Sequence, residues 1–391
     1  MQLSPEVEQV LSAHQVDRER GFLPGTEPLR SLPSAFAVWE QVAAELPKLL
    51  MTDLLRRELE DLPPFPVHRL AAHQLERAMM LLSYIGHAYV WTGEPARRLP
   101  ANLAVPWHYV AMKLGRPPVL SYASYALHNW RRFDADRDVE LGNIALLQNF
   151  WGGADEEWFI LVHVDIERKA GPLLVGLVQA KHAARDGDVE AVTRALLHCA
   201  AAQEQMYATL CRMPQWCDPY IYYRRVRPYI HGWKANPALP DGLVYEGVSE
   251  YGGKGQFFRG ETGAQSSIVP AIDAVLGITH APGLLNDYLM EMRTYMPPAH
   301  RRFIEYLEAG PSVRPLVGRS VALKDAYNRC VELQEGFRAK HYEYAANYIY
   351  KQGQADAQTA GANPTAIGTG GTPFMPYLKK HLDETRQHRV G

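Results

Sequence analysis

Cysteine is scarce in this chain: Cys199, Cys211, Cys217 and Cys330 are the only four in 391 residues. Four thiols at irregular spacing supply neither a disulfide framework nor the paired ligands of a zinc finger. They read as reduced, mostly buried thiols of a cytoplasmic protein. Net charge is also small, with 41 Lys and Arg against 43 Asp and Glu, and no basic stripe is interleaved with aromatics. Such a chain has no field to hold a phosphate backbone, so nucleic acid is not expected as a partner. Long apolar runs are missing too. The longest uncharged apolar stretch, Ala78–Gly93, covers 16 residues and includes His87, Tyr84 and Tyr89. A bilayer span needs roughly 20 apolar residues, so a buried helix is expected there and no membrane partner. The polar start, Met1-Gln-Leu-Ser-Pro-Glu, lacks the apolar core of a secretion signal.

Several chemistries are excluded by missing motifs. There is no Gly-x-Ser-x-Gly elbow, no His-Glu-x-x-His and no strand-associated dinucleotide glycine motif. Gly252-Gly253-Lys254-Gly255 lacks the strand-to-helix setting of a phosphate loop. His163, Asp165 and Glu167 share a helix, but no second histidine follows at a compatible spacing, which argues against a metal site of side chains alone.

What the chain has in quantity is helical periodicity, over a composition 47% hydrophobic and 21% charged. Helices are predicted over Ala35–Leu62 with a break at Pro47, Val67–Trp91, Pro118–Arg132, Val139–Phe150, Glu156–Arg185 and Val189–Cys211. Others follow over Ile268–Ile278, Leu284–Arg293, Ala299–Leu307, Leu323–Tyr350 and Pro373–His388. Only residues near Gly242–Val248 could pair as strand, so the fold class is all-α. A smaller N-terminal helical domain is expected over residues 1–140 and a large helical one over 141–391, with a mobile loop at 351–372 rich in Gln, Ala, Gly and Thr.

Four features could carry chemistry. Phe337, His341, Ala345 and Tyr348 fall on one helical face, which by default describes a hydrogen-bonded core histidine but also suits an imidazole presented to a metal or macrocycle. Twenty-seven residues after His341 comes Gly368-Thr369-Gly370-Gly371-Thr372, either a linker or a turn whose backbone N–H groups approach a ligand closely. Arg227 follows Tyr222 and Tyr223, a setting for binding a planar carboxylate or for simple packing, with Arg224 and Arg225 as competitors. Asp273 lies on an otherwise apolar helix and needs a partner if buried; Arg338, three residues before His341, is a candidate.

In this order the pieces resemble the indoleamine 2,3-dioxygenase family of haem enzymes. The resemblance runs from Gly21-Phe22-Leu23-Pro24 through Leu103-Ala104-Val105-Pro106, Pro117-Pro118 and Asn129-Trp130. It is dense at Gly232–Pro237, Asp241–Gly247, Ala264–Ser267 and Met296–Arg301, and ends at Gly368–Thr372. It implies haem b as cofactor, O2 as co-substrate and a small-molecule indole as substrate. The implied reaction cleaves the C2–C3 bond of L-tryptophan or a related indole, keeping both oxygen atoms, to give an N-formylkynurenine-type product. It further implies His341 as the proximal iron ligand, with Asp273 and Arg338 as the charged pair beside it, and Thr262 and Gly263 at the haem edge. Arg227 would bind the substrate carboxylate, and Thr369 would sit near the amino-acid portion. Tyr222 and Tyr223 stand where family phenylalanines stack near the indole, and Tyr122 on the distal wall. The large domain would hold haem, the small one cover its distal side, and closure of 351–372 seal the pocket. No dedicated distal acid or base is demanded, and a monomer is expected.

The pattern departs at the distal side. Matching Val164-Asp165-Ile166 to the family's Val-Glu-Ile puts Leu161 where a distal serine stands and Glu157 or Trp158 where a pocket phenylalanine stands. Tyr125 and Ala126 replace a small cysteine and a valine at the pocket floor. Two alternatives follow: a same-fold haem enzyme with diverged indole oxidation or rearrangement, or a haem- or gas-binding protein without turnover.

Overall fold

The computed structural model describes residues 3–354 and 366–391. Helix dominates, and strand is confined to short pairings, as the all-α expectation requires. The scaffold is set by three long helices, Ala154–Asp186, Val189–Leu210 and Val321–Ala345. The first two form a hairpin because Gly187 takes a left-handed conformation (φ +72°) and Asp188 caps the next helix through Ala191 N. Val321–Ala345 packs on Val189–Leu210, and the closing helix Phe374–Arg386 packs on Val321–Ala345. One continuous apolar core runs from Val7 to Tyr348.

The strand expected near Gly242–Val248 is Leu243–Tyr245, parallel to Arg98–Leu99 and antiparallel to Gly255–Gln256. Elsewhere the reading needs correction. The helix Ala37–Leu49 runs through Pro47, and the Ala43 carbonyl that a proline cannot serve accepts instead from the Gln148 side chain at 2.8 Å. Ala101–Leu114 is a helix that went unread because Pro106 sits inside it. Val139–Phe150 is not helical. There the Asn129 side chain accepts from the Leu147 and Gln148 amides at 3.1 and 2.8 Å and donates to the Gln148 carbonyl at 2.8 Å, so a side chain replaces the helical ladder. Within Pro118–Arg132 the regular portion is a π-helical segment, Ala123–Leu127.

That segment has two counterparts, Tyr222–Val226 and Ala346–Tyr350. Each adjoins a candidate site residue: Tyr122, the Tyr222–Tyr223 pair, or His341 on the preceding turn. π-Helical turns widen the backbone locally and recur where side chains must be aimed into a site. Cys199, Cys217 and Cys330 are buried and Cys211 is exposed; all are free. Among the described residues, no helix is long and apolar enough to cross a membrane. The loop expected at 351–372 falls in its middle on residues 355–365, outside the described residues; Lys351–Gln354 is helical and Gly368–Thr372 forms a turn.

Candidate active site

The stripe Phe337, His341, Ala345 and Tyr348 faces an internal void rather than a filled core. Two cavities meet there. The larger, about 580 Å³, is lined mainly by apolar side chains, including Ile166, Met206, Ile268, Ile272, Leu289 and Phe337. The smaller, about 190 Å³, is bounded by Phe159, Tyr222, Glu261, Thr262, Tyr288, Tyr348 and the glycine turn. His341, His163, Gly263, Ala264, Leu289 and His381 line both. The larger volume lies within the range typical of ligand and cofactor pockets, about 300–1,000 Å³.

His341 keeps accessible surface although protein surrounds it, because that surface opens into the cavities. Burial, and then the neighbouring His163, push its pKa down to about 4. The imidazole is therefore neutral, and it makes no hydrogen bond to any described residue. A neutral, unengaged imidazole nitrogen in a large apolar slot is the donor a haem iron requires. Arg338, paired with Asp273, is on the wall of the same slot, a guanidinium suited to a group bearing carboxylates. The residues fit the cofactor.

Arg338 donates through Nη2 to Asp273 Oδ2 at 2.6 Å, so the pairing expected from sequence is present. Burial alone would raise the Asp273 carboxyl, but Arg338 and the His280 hydrogen bond outweigh it and hold the carboxyl below its ordinary range. His280 extends the network to Glu384 at 2.6 Å and packs at a tilt against His381, ring centroids 4.4 Å apart, while Arg338 also donates to Thr385. These partners come from the closing helix, which sequence reading left without a role. No motif marks them.

Thr262 and Gly263 are on the cavity wall, as is Thr369. The Thr369 hydroxyl donates to the Glu261 carbonyl at 2.5 Å, and Arg259 donates to the Gly370 carbonyl at 2.6 Å. The turn itself closes with Gly368 N to Thr372 O and Gly371 N to Gly368 O, both 2.8 Å. Gly371 has φ +75°, and a Cβ there would stand 2.3 Å from the Lys234 carbonyl oxygen, which is why glycine is needed. Tyr222 lines the smaller cavity against Phe159, ring centroids 4.6 Å apart. Tyr122 lines the larger, its hydroxyl donating to Glu167 at 2.9 Å.

Arg227, Tyr223 and Leu161 lie on neither wall. Arg227 is fully buried, donates to the Ile367 carbonyl at 2.7 Å and stacks over Tyr223 at 5.7 Å. It thus reaches the segment leading into the glycine turn. Burial lowers its pKa to about 10, which leaves it charged. Leu161 is a core residue. The wall residues of that helix are Phe159, His163 and Ile166, spaced four and three apart on one face; a two-residue step turns a helix by about 200°, so matching the pattern two positions early aimed Leu161 away from the cavity. The available signal was Glu167: it holds Tyr122 and Ser266, at 2.9 and 2.7 Å, whereas Asp165 pairs away from the site with Lys169 and Thr209. Trp158 donates to the Arg212 carbonyl, and Tyr125 packs within 6.4 Å of Phe159. His163 Nδ1 lies 2.7 Å from the Phe159 carbonyl, which can only accept. The proton of the neutral ring is therefore on Nδ1, and Nε2 is left as an acceptor on the cavity side.

A neutral imidazole lining a large apolar slot, with a second imidazole that also lines both cavities, narrows the comparison with known proteins to haem oxygen chemistry. The family model described as indoleamine 2,3-dioxygenase matches residues 10–388. The chain belongs to this family. Indoleamine 2,3-dioxygenase 1 of Rattus norvegicus is 38% identical, the alignment covering 97% of this chain and 95% of the relative. The indoleamine 2,3-dioxygenase of Saccharomyces cerevisiae is 32% identical over 96% of this chain and 93% of its own. That of Aspergillus nanangensis is 32% identical over 98% of each. As a member of the family, this chain is a haem-dependent dioxygenase that uses O2.

Proposed function

We propose that this indoleamine 2,3-dioxygenase holds haem b through His341 and opens the C2–C3 bond of L-tryptophan, giving an N-formylkynurenine-type product. The observation that carries the reading is the neutral, unengaged His341 imidazole facing a cavity of about 580 Å³. Bound there, haem would supply the iron that activates O2 toward the electron-rich pyrrole ring. The protein's part is positioning and exclusion of water. Arg338, paired with Asp273, would fix the helix bearing the ligand and stand by the cofactor's carboxylates. Phe159 and Tyr222 would flank the indole, and Tyr122 would close the distal wall. Arg227 would exchange its Ile367 contact for the substrate carboxylate, beside Thr369. His163 Nε2 would accept from the indole N–H, a group that can only donate.

We take residues 1–140 as the cover over the distal side and 141–391 as the cofactor-holding body, acting as a cytoplasmic monomer. The free thiols are in keeping with a reducing compartment. The test is product analysis with tryptophan and isotope-labelled O2, alongside haem content and Soret spectrum of His341→Ala. Two labelled oxygens in the product, and loss of haem in the variant, are expected. Failure to label the product would overturn the activity, and wild-type haem content in the variant would move the ligand elsewhere, with His163 examined next.

A further inference from the structure

Glu261 is a buried carboxyl with no role in the reading above. It is 5% exposed, and it lies on the wall of the smaller cavity, which Tyr222 and Thr262 also line. Its main chain is fully committed. The amide donates to the Ile230 carbonyl at 3.0 Å, and the carbonyl accepts from the Thr369 hydroxyl at 2.5 Å. The preceding Gly260 crosses Gly232 so closely that a Cβ would stand 2.2 Å from the Gly232 nitrogen, so the backbone cannot shift. The side chain is what remains to face the cavity. Among the described residues it has no hydrogen-bond or ion-pair partner, and burial without a counter-charge raises its carboxyl to about 8.

A carboxyl placed so, with nothing to satisfy it, costs stability unless a ligand completes it. Its placement relative to Arg227 indicates which ligand. Arg227 lies three residues before Ile230 and donates to the Ile367 carbonyl; the main-chain carbonyl of Glu261 takes the hydroxyl of Thr369, two residues further on. The Arg227 guanidinium and the Glu261 main chain thus tie down the same short segment, and the Glu261 carboxyl lies on the cavity wall that this segment helps to form; a guanidinium and a carboxyl suit the two charged ends of an amino acid.

We propose that Glu261 recognises the protonated amine of the substrate side chain, making the enzyme selective for indole-ethylamines and indole amino acids over indoles bearing a carboxylate alone. This rests on the reading that the smaller cavity takes the indole substrate. A cation entering there supplies the missing counter-charge and forms a charge-assisted hydrogen bond.

The test measures affinity and turnover on the haem-loaded enzyme for L-tryptophan, tryptamine and indole-3-propionate, with wild type, Glu261→Gln and Glu261→Asp. Affinity is read by calorimetry, independently of turnover. Glu261→Gln should weaken tryptophan and tryptamine roughly 10- to 150-fold, the range for a lost charged hydrogen bond, and leave indole-3-propionate unchanged or tighter. Glu261→Asp should restore part of the amine preference. Equal changes for all three ligands, or a shifted Soret band in Glu261→Gln, would overturn the proposal and assign the carboxyl to the cofactor or the fold. No change for any ligand would overturn it too. Wild-type enzyme that shows the amine preference by calorimetry but oxidises no indole would sink the dioxygenase reading and leave this one standing.

Discussion

Arg338 and Asp273 meet at 2.6 Å on the wall of the larger cavity, with Arg338 one helical turn before His341. Both are buried, at 7% and 8% exposure. Removing one member of such a pair strands the other's charge in a low-dielectric setting, typically a loss of about 3–5 kcal/mol. Asp273→Ala should fall at the lower end, because Arg338 keeps its bond to Thr385. Urea unfolding of the haem-free protein measures this without the cofactor's contribution. A loss under about 0.5 kcal/mol would mean that the pair behaves as a solvated surface bridge.

How far the sequence could be read differs between the two sides of the cavity. On the His341 side, residue types alone were informative: a histidine on an apolar stripe, an arginine one turn away, and a carboxylate on an apolar helix that had to find a cation. Buried charge has few solutions, so these residues pointed to one another. On the distal side the determinant was register. Phe159, Leu161 and His163 are all compatible with a helix, and only the packing of Glu167 against Tyr122 and Ser266 sets which face meets the cavity. His381 and Glu384 were illegible for a related reason: they join the Asp273 network through the docking of a terminal helix onto His280, a long-range contact that local periodicity does not encode. The π-helical segments were hidden as well, since their sequences carry ordinary helical patterns.

Arg227→Lys keeps the charge and loses the two-pronged geometry that fits a carboxylate. If this guanidinium clamps the substrate, kcat/KM for tryptophan should fall about 10- to 150-fold, the equivalent of roughly 1.5–3 kcal/mol. Activity on 3-methylindole, which has no carboxylate, should hardly change. Equal losses on both would point to a disturbed pocket, because Arg227 also ties down the Ile367 carbonyl. No loss on either would transfer the role to Arg224 or Arg225, or remove it.

Glu167 makes stability depend on pH. Burial raises its carboxyl from the ordinary 4.5 to about 7, against the lowering effect of the Ser266 and Tyr122 hydrogen bonds. A carboxyl whose folded pKa lies above its unfolded one favours the folded state fully below about 4.5, and that contribution is lost as pH rises through 7. Glu156, also raised to about 7, and Glu261, raised to about 8, act in the same sense. Both hydrogen bonds to Glu167 land on Oε1, so Glu167→Gln can keep them while no longer ionising. The midpoint of thermal unfolding should therefore decline less between pH 5 and pH 8 in the variant than in wild type. Parallel declines would show that Glu167 does not titrate in this window.

His163 offers the most discriminating test of how the indole is held. Its Nδ1–H is fixed on the Phe159 carbonyl at 2.7 Å, so rotation of the ring is costly and Nε2 stays an acceptor on the cavity side. Indole has one N–H donor and no competing acceptor, which makes that nitrogen its natural mate. The contact joins neutral groups, so its loss should be modest, about 0.5–1.5 kcal/mol or roughly 2- to 13-fold in kcat/KM. His163→Ala should show this deficit with tryptophan and keep its haem, because the iron ligand is His341. With 1-methyltryptophan, which has no indole N–H, variant and wild type should differ little. A similar loss on the N-methylated substrate would mean that His163 fills space or excludes water and does not bond the ring. Loss of the Soret band in His163→Ala would instead make His163, and not His341 alone, part of what holds the cofactor.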